Sequence, residues 1–159
     1  MSQTRTPRLI LICGPPGAGK STLAREIAEG GLALRLSVDE WMAHLGFDLW
    51  DVLARDRIDG LFWQLAQQLL ALGQSVILES GFWLRTDRDE KRLGARALGA
   101  RAELHYLDVG IDERWRRIEV RNASTTPGDA SITREQLEGM EGFFDAPQPA
   151  ELELFDVAE

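Results

Sequence analysis

Cysteine is almost absent from this sequence: Cys13 is the only one among 159 residues, which excludes a disulfide within the chain. A lone thiol is typical of proteins from a reducing compartment, and we expect the protein to be cytoplasmic. No apolar run approaches the roughly 20 residues that a membrane-spanning helix needs. The polar stretch 1–8 lacks the apolar segment of a signal peptide. We therefore expect no membrane partner.

Lysine is also scarce, because the 18 basic residues comprise 16 arginines and only Lys20 and Lys91. Acidic residues outnumber them, and the net charge of −8 disfavours broad binding to nucleic acid, although it does not exclude it. A local basic cleft for a phosphorylated substrate is compatible with this charge. The hydrophobic content of 44% is ordinary for a globular protein, and the length suits one domain over residues 1–159.

The most informative stretch is Gly14–Ser21, which reads GPPGAGKS and matches the phosphate-binding pattern G-x-x-x-x-G-K-[ST]. An apolar run precedes it and a helical pattern follows it, as this loop requires. Its glycines allow successive N–H groups to converge on phosphate oxygens beside a helix N-terminus. We expect Lys20 to contact the β- and γ-phosphates and Ser21 to bind Mg²⁺. The residues expected to bind the nucleotide are Gly14, Pro15, Pro16, Gly17, Ala18, Gly19, Lys20, Ser21 and Thr22, together with Arg117 further along the chain. The alternative is an ordinary Gly/Pro turn.

Short apolar runs alternate with helical patterns along the whole chain. Strands are predicted at 8–13, 33–36, 75–78, 102–109 and 151–157, and helices at 22–29, 37–45, 51–72, 86–98, 112–122 and from 133. This alternation predicts a three-layer α/β fold with a five-stranded parallel sheet covered by helices on both faces. The polar segment 123–132 reads as a mobile loop, and Thr133–Gln136 fits a capping box.

Two acidic residues follow predicted strands, at the edge of a parallel sheet where ligands bind. Asp39 is a candidate base for the proton of an acceptor hydroxyl. The alternative is that Asp39 only complements the helix dipole beside a Ser37–Glu40 capping box. Glu79 follows the apolar run 76–78 and is a candidate for Mg²⁺, held through water, or for the substrate. The alternative for Glu79 is a strand-end acid that faces solvent.

Arginines dominate the helical pattern at 112–122. Arg114, Arg117 and Arg121 recur at i, i+3 and i+7 and share one helical face. We expect Arg117 and Arg121 to neutralise charge on the transferring phosphoryl group. The alternative is a solvated face paired with neighbouring glutamates.

Arg85 and Arg88 follow Glu79 and are candidates for contact with an anionic group of the substrate. Trp41 lies near the expected acceptor side. It shares that region with Phe47, Trp50, Phe82 and Trp83. These rings are candidates for an apolar acceptor pocket, the alternative being ordinary core positions.

Four motifs together resemble the small P-loop kinases related to zeta toxins, chloramphenicol phosphotransferase and the kinase domain of polynucleotide kinase. The motifs are Gly14–Ser21, Ser37–Asp39, Val76–Phe82 and Arg117–Asn122. The third motif is also similar to the adenylate kinase strand that ends in Asp-Gly-Phe-Pro-Arg, with the arginine displaced here to position 85. The resemblance implies ATP and Mg²⁺ as cofactors, a hydroxyl acceptor, the sheet order 2-3-1-4-5 and a lid over about 112–133. It also implies that adenine packs between the lid helix and the loop 146–149.

The expected function is an ATP-dependent kinase that transfers the γ-phosphate of ATP to a hydroxyl of a small molecule or nucleotide. One alternative is a nucleotide-switched binding protein, although the Asn-Lys-x-Asp run that guanine recognition commonly uses is absent. Another is a toxin-like or polynucleotide 5′-hydroxyl kinase. The identity of the acceptor stays open at this point.

Overall fold

A parallel four-stranded sheet forms the centre of the computed structural model, which describes residues 5–31, 33–124 and 131–158. The strands are β1 Arg8–Cys13, β2 Ala33–Ser37, β3 Ser75–Gly81 and β4 Arg101–Tyr106. Their order is β2-β3-β1-β4, which matches the first four strands of the predicted order. The helices are α1 Lys20–Glu29, α2 Val38–His44, α3 Val52–Ala71, α4 Arg85–Ala97, α5 Ile111–Asn122, α6 Arg134–Met140 and α7 Pro149–Leu152.

Strand β1 lies between β3 and β4 and is buried along its whole length. Side chains alternate between the two faces of a strand. Leu9 and Leu11 pack on one face with α3, while Ile10 and Ile12 pack on the other face with α1. Because both faces are covered, the strand needs the continuous apolar run from which it was predicted. None of the helices in the described ranges is long and apolar enough to cross a membrane.

Side-chain caps fix where several helices begin. Ser37 accepts a hydrogen bond from the backbone N–H of Glu40 and begins α2. Asp51 caps α3 in the same way. At α6, Thr133 and Gln136 form the reciprocal capping box, so this prediction is confirmed. The loop predicted over 123–132 and the lid over 112–133 fall partly on residues 125–130, which lie outside the described residues.

The fifth strand, predicted over 151–157, is wrong for the described part of the chain. Pro149 begins the short helix α7 instead, a position that suits a residue without an N–H. Further on, Asp156 meets the edge strand β4 at Ala102. Its N–H donates to the Ala102 carbonyl at 2.7 Å, and its carboxylate accepts from the Ala102 N–H at 2.8 Å. The Asp156 carboxylate thus accepts the Ala102 N–H, a hydrogen bond that the backbone carbonyl of a neighbouring strand would otherwise accept.

Candidate active site

The loop Gly14–Ser21 joins β1 to α1 and has the backbone that its glycines permit. Gly17 and Gly19 have φ values of 80° and 97°, which residues with a Cβ rarely adopt. Space is restricted as well, since a Cβ on Gly17 would lie 2.8 Å from the carbonyl oxygen of Arg114. At the start of the loop, the Gly14 N–H donates to the Gly81 carbonyl at 3.1 Å. The conformation therefore depends on neighbouring segments as well as on its own sequence.

Lys20 lies at the start of α1, and its Nζ donates to the Pro15 carbonyl across the loop at 3.0 Å. Burial lowers the pKa of Lys20 to about 8, against the opposing charges of Asp39 and Glu79. A cation held this far from water is stabilised by an added negative charge. The loop thus favours an anionic ligand.

Ser21 and Glu79 meet at the carboxyl end of β3. The Ser21 hydroxyl donates to one oxygen of the Glu79 carboxylate. The other oxygen accepts a hydrogen bond from Nε of Arg35 at 2.8 Å, and Nη2 of the same arginine makes an ion-pair contact with it at 2.6 Å. The Glu79 side chain is only 4% exposed, so its interpretation as a solvent-facing acid is wrong.

Arg35 is a site residue that sequence reasoning missed. It extends from β2 and is shared between Glu79 and Glu40, whose two oxygens both lie 2.9 Å from its Nη1. The only sequence signal was a single arginine between Leu34 and Leu36 in an otherwise apolar strand. Its partner Glu79 is 44 residues away, so the pairing depends on the parallel contact between β2 and β3.

Asp39 lies in the first turn of α2, and its side chain is 64% exposed. Its Oδ1 lies 2.8 Å from Nη1 of Arg55, which belongs to α3. The Asp39 charge also raises the pKa of Lys20, so the carboxylate lies near the phosphate loop at the carboxyl ends of the strands. Trp41, two residues further along α2, is half-exposed and packs edge-on against Phe62.

The other predicted pocket aromatics divide between surface and interior. Phe47 and Trp50 are exposed. Phe82 is buried in the core. Trp83 packs edge-on against Phe144, on a segment far along the chain. These rings do not all gather beside Asp39, because the turn after β3 directs Phe82 inward.

Helix α5 presents its arginines to the phosphate loop. Arg114 is buried, donates to the Val109 and Pro16 carbonyls and pairs with Glu141. Arg117 donates to the Ala18 carbonyl at 3.2 Å. The charge of Arg121 contributes to the lowered pKa of Lys20. The Nε of Arg121 is buried without a hydrogen-bond partner among the described residues.

Arg85 and Arg88, expected together on the substrate side, separate in the structure. Arg85 begins α4, is half-exposed and pairs with Asp89 at 3.3 Å. Arg88 is fully buried and pairs with Glu151, so its expected contact with substrate is wrong. The two residues are three positions apart in α4, yet only Arg88 is directed into the core.

A cavity of about 260 Å³ lies between the end of β4 and the chain that follows α6. Arg114 of α5 and Ala146 both line it, together with Pro15 of the phosphate loop. Tyr106 and Phe144 stack on one side of it, with ring centroids 6.0 Å apart. The structure thus brings one end of the loop 146–149 next to the arginine helix. Adenine binding at this place stays a prediction.

A model of the family AAA_33, described as an AAA domain, matches residues 9–147. The chain belongs to this AAA domain family. The matched residues include the phosphate loop, both candidate carboxylates and the arginine helix. The resemblance to P-loop kinases is confirmed at the level of family and fold. A search of the curated proteins finds no match to this sequence.

Solved structures share this AAA-domain fold. A chain of the Pnkp1/Rnl/Hen1 RNA repair complex has a TM-score of 0.72 and 22% identity, covering 96% of this chain and 47% of that one. The AAA-domain chain thus spans about half the length of that relative. A putative kinase from Chloroflexus aurantiacus J-10-fl has a TM-score of 0.70 and 24% identity, and the match covers 91% of this chain and 83% of that one. The Mycobacterium tuberculosis APS kinase CysC, in complex with AMPPNP and APS, has a TM-score of 0.62 and 19% identity. The match covers 90% of this chain and 84% of that one.

The residues of the phosphate loop and its surroundings fit a nucleoside triphosphate with Mg²⁺. Gly17 leaves no room for a Cβ where the loop meets α5, and the buried Nε of Arg121 has a hydrogen to donate. Burial disfavours the charged form of Lys20, and a bound phosphate would stabilise it. Ser21 and Glu79 supply the hydroxyl and carboxylate oxygens that suit Mg²⁺. Among the described residues, no cluster of three metal-ligating side chains competes with this pair.

Proposed function

We propose that this protein is an ATP-dependent phosphotransferase that phosphorylates a hydroxyl of a small molecule or nucleotide. The observation that carries the proposal is a buried lysine in a phosphate loop, within reach of the charges of two carboxylates and of an arginine helix that contacts the loop. A binding protein needs the loop and the lysine, whereas group transfer also needs a proton acceptor and mobile cations. The AMPPNP held by an APS kinase of the same fold supports ATP as donor.

The phosphate loop would hold the donor nucleotide. Its backbone amides and the Lys20 ammonium would bind the phosphates, with Arg117 at the side of the loop. Ser21 and Glu79 would hold Mg²⁺, directly or through water. ATP with Mg²⁺ supplies the phosphoryl group and offsets its charge. Because Arg35 already neutralises Glu79, this carboxylate can serve a cation without repelling the phosphates.

Asp39 would bind the acceptor hydroxyl and take its proton. Its carboxylate is accessible, and Arg55 fixes the orientation by holding Oδ1. The charge of Arg55 also gives the acceptor side a cation, which Arg85 at the start of α4 would supplement. Trp41 would cover an apolar part of the acceptor. These assignments make Asp39 the residue whose loss separates phosphoryl transfer from nucleotide binding.

Arg121 would stabilise charge on the transferring group. Its buried Nε lacks a partner in the described structure, and its side chain lies close enough to oppose the Lys20 charge. Both properties suit a cation that gains its partner only with ligand present. Arg117 would accompany it from one turn earlier on α5.

The proposal is tested by adding the protein and ATP·Mg²⁺ to a metabolite mixture and searching by mass spectrometry for species that gain a phosphoryl group. The Lys20→Ala variant should abolish the new species, because the loop loses its cation. Asp39→Asn should bind AMPPNP·Mg²⁺ normally but lose transfer by two to four orders of magnitude, as removal of a general base does. A full product yield from Lys20→Ala would exclude the proposed enzyme. Hydrolysis of ATP with no acceptor phosphorylated would instead favour a nucleotide switch.

A polynucleotide 5′-hydroxyl end is a second candidate acceptor. It is favoured by the shared fold with a chain of an RNA repair complex and by the exposed Trp41 and Trp50. The net charge of −8 opposes it. Transfer to a 5′-hydroxyl oligoribonucleotide, with binding that weakens steeply as salt rises, would decide for this acceptor.

A further inference from the structure

An ion pair that the phosphate-transfer proposal does not use lies behind the phosphate loop. Arg88 of α4 is 0% exposed and Glu151 of α7 is 2% exposed. Their contact is bidentate, with Nε to Oε1 at 2.6 Å and Nη2 to Oε2 at 2.9 Å. The two residues are 63 positions apart, so the pair joins the C-terminal segment to the middle of the chain. We call it the Arg88–Glu151 clamp.

The third guanidinium nitrogen of Arg88 is directed at the backbone next to the phosphate loop. Nη1 of Arg88 donates to the Phe82 carbonyl at 2.9 Å. The Cys13 thiol donates to the same oxygen at 3.4 Å. Burial raises the pKa of Cys13 to about 11, so the thiol keeps its proton at neutral pH. The Phe82 carbonyl is therefore held by donors from two separate elements, one of which directly precedes Gly14.

Phe82 needs this support because its backbone is strained. Its φ is 49°, and among the described residues no other non-glycine residue has a positive φ. Such a conformation is unfavourable for a bulky side chain and persists where surrounding contacts enforce it. Gly81 before it has a φ of 89°, so two left-handed residues in succession turn the chain sharply after β3.

This turn sets the first hydrogen bond of the phosphate loop. The Gly81 carbonyl accepts the Gly14 N–H at 3.1 Å, and the pairing of β1 with β3 shifts register so that Cys13 lies opposite Gly81. If Phe82 relaxed to negative φ, the Gly81 peptide would rotate and release the Gly14 amide. The start of the loop would then be free to change conformation.

The C-terminal segment holds the same turn at a second point. The Asp145 N–H donates to the Trp83 carbonyl at 2.9 Å, and Phe144 packs edge-on against the Trp83 ring. Together with Glu151, these contacts place residues 144–151 against the turn 81–83. A buried ion pair alone is weak evidence for a role beyond stability, since apolar pairs of similar volume often serve as well. Its convergence on a strained peptide beside the loop is the stronger argument.

We propose that Arg88 and Glu151 are positioning residues that hold the Phe82 carbonyl and thereby preorganise the phosphate loop from the C-terminal segment. The inference rests on nucleotide binding by that loop, as proposed above. It assigns Arg88 a function that its sequence position next to Arg85 did not indicate. It also gives a reason for a charged pair at a place that an apolar pair would fill.

The test replaces the clamp by apolar residues of similar size, in the double variant Arg88→Met with Glu151→Leu. This change leaves no unpaired buried charge, so the fold should persist while the bond to Phe82 is lost. The matched control is Arg8→Met with Glu103→Leu, a second buried pair with Nη1 and Oε1 3.1 Å apart. Arg8 begins β1, at the opposite end of the strand from the phosphate loop.

Three quantities are measured: the melting temperature, the Kd for AMPPNP·Mg²⁺ by calorimetry, and hydrogen exchange of the Gly14 amide by NMR without nucleotide. The clamp variant should bind AMPPNP·Mg²⁺ about tenfold more weakly, the equivalent of one lost hydrogen bond, and its Gly14 amide should exchange at least tenfold faster. The control should change neither the Kd nor the exchange rate of the Gly14 amide, even if its melting temperature falls by as much as that of the clamp variant.

Unchanged Kd and Gly14 exchange in a folded clamp variant would overturn the proposal and leave Arg88 a stability residue. If the double variant does not fold, the wild-type chain still decides, because rapid exchange of its Gly14 amide contradicts a preorganised loop. Cys13→Ala supplies a milder variant with the same expected direction. Absence of AMPPNP·Mg²⁺ binding by the wild type would instead refute the proposed function, while Gly14 exchange would still report on the clamp.

Discussion

Raising the pH from 7 to 9 should weaken nucleotide binding by about tenfold, because Lys20 loses its proton over this range. The cause is structural, since burial lowers the pKa of Lys20 to about 8. The carboxylates of Asp39 and Glu79 oppose the shift without cancelling it. Bound phosphates favour the ammonium form, so nucleotide binding above pH 8 must be accompanied by proton uptake.

The magnitude follows from the fraction of protein that carries the proton. With a pKa of about 8, that fraction falls from roughly nine-tenths at pH 7 to roughly one-tenth at pH 9. With the ordinary value of 10.5, it would stay above roughly nine-tenths throughout. The two cases therefore differ by nearly a decade in Kd. Few other groups interfere, since the last proton of a phosphate leaves near pH 6.

The assay is calorimetric titration of AMPPNP·Mg²⁺ at pH 7, 8 and 9 in buffers of different ionisation enthalpy, which also counts the protons taken up. Lys20→Arg is the matched control, because a guanidinium keeps its charge at every pH used. This variant should bind more weakly, since its fork differs from a compact ammonium, but its Kd should be flat with pH.

A wild-type Kd that is constant between pH 7 and 9 would contradict the argument, as would an equal slope in Lys20→Arg. The first result would mean that Lys20 is better solvated than its burial implies. The second would place the titrating group elsewhere in the site.

Five further variants test the packing of the phosphate loop, the Glu79 ion pair and the helices. Gly17→Ala should abolish AMPPNP·Mg²⁺ binding in calorimetry, because its Cβ would meet the Arg114 carbonyl at 2.8 Å. The control is Gly31→Ala, which has a similar φ of 74° but open space around its Cβ and should bind normally. Arg35→Met should lower the free energy of unfolding by about 3 kcal/mol in urea denaturation, because it leaves the buried Glu79 without its ion-pair partner. Gly94→Ala would place a Cβ 2.5 Å from the Trp63 ring and should cost about 1–3 kcal/mol in the same assay. Gly60→Ala, in open space within α3, should stabilise the fold by about 0.5–1 kcal/mol.

Most of the sheet could be predicted because its signals are local. The run Leu9–Ile12 is apolar at every position, and the capping residues Ser37, Asp51 and Thr133 mark helix starts directly. The prediction of a C-terminal strand over 151–157 was wrong, because the segment alternates like a strand whereas Pro149 begins a helix and Glu151 pairs with Arg88. Long-range contacts outweigh local pattern at this point.

The sequence by itself determined the phosphate loop, because eight consecutive residues carry both the glycine backbone and the cation. It also determined the spacing that puts the α5 arginines on one face. Only the tertiary structure decided which carboxylate meets Ser21, which arginine neutralises Glu79, and that Arg88 faces the core. The physical reason is that charge pairing depends on distance in space, and residues tens of positions apart become neighbours only when the parallel strands align.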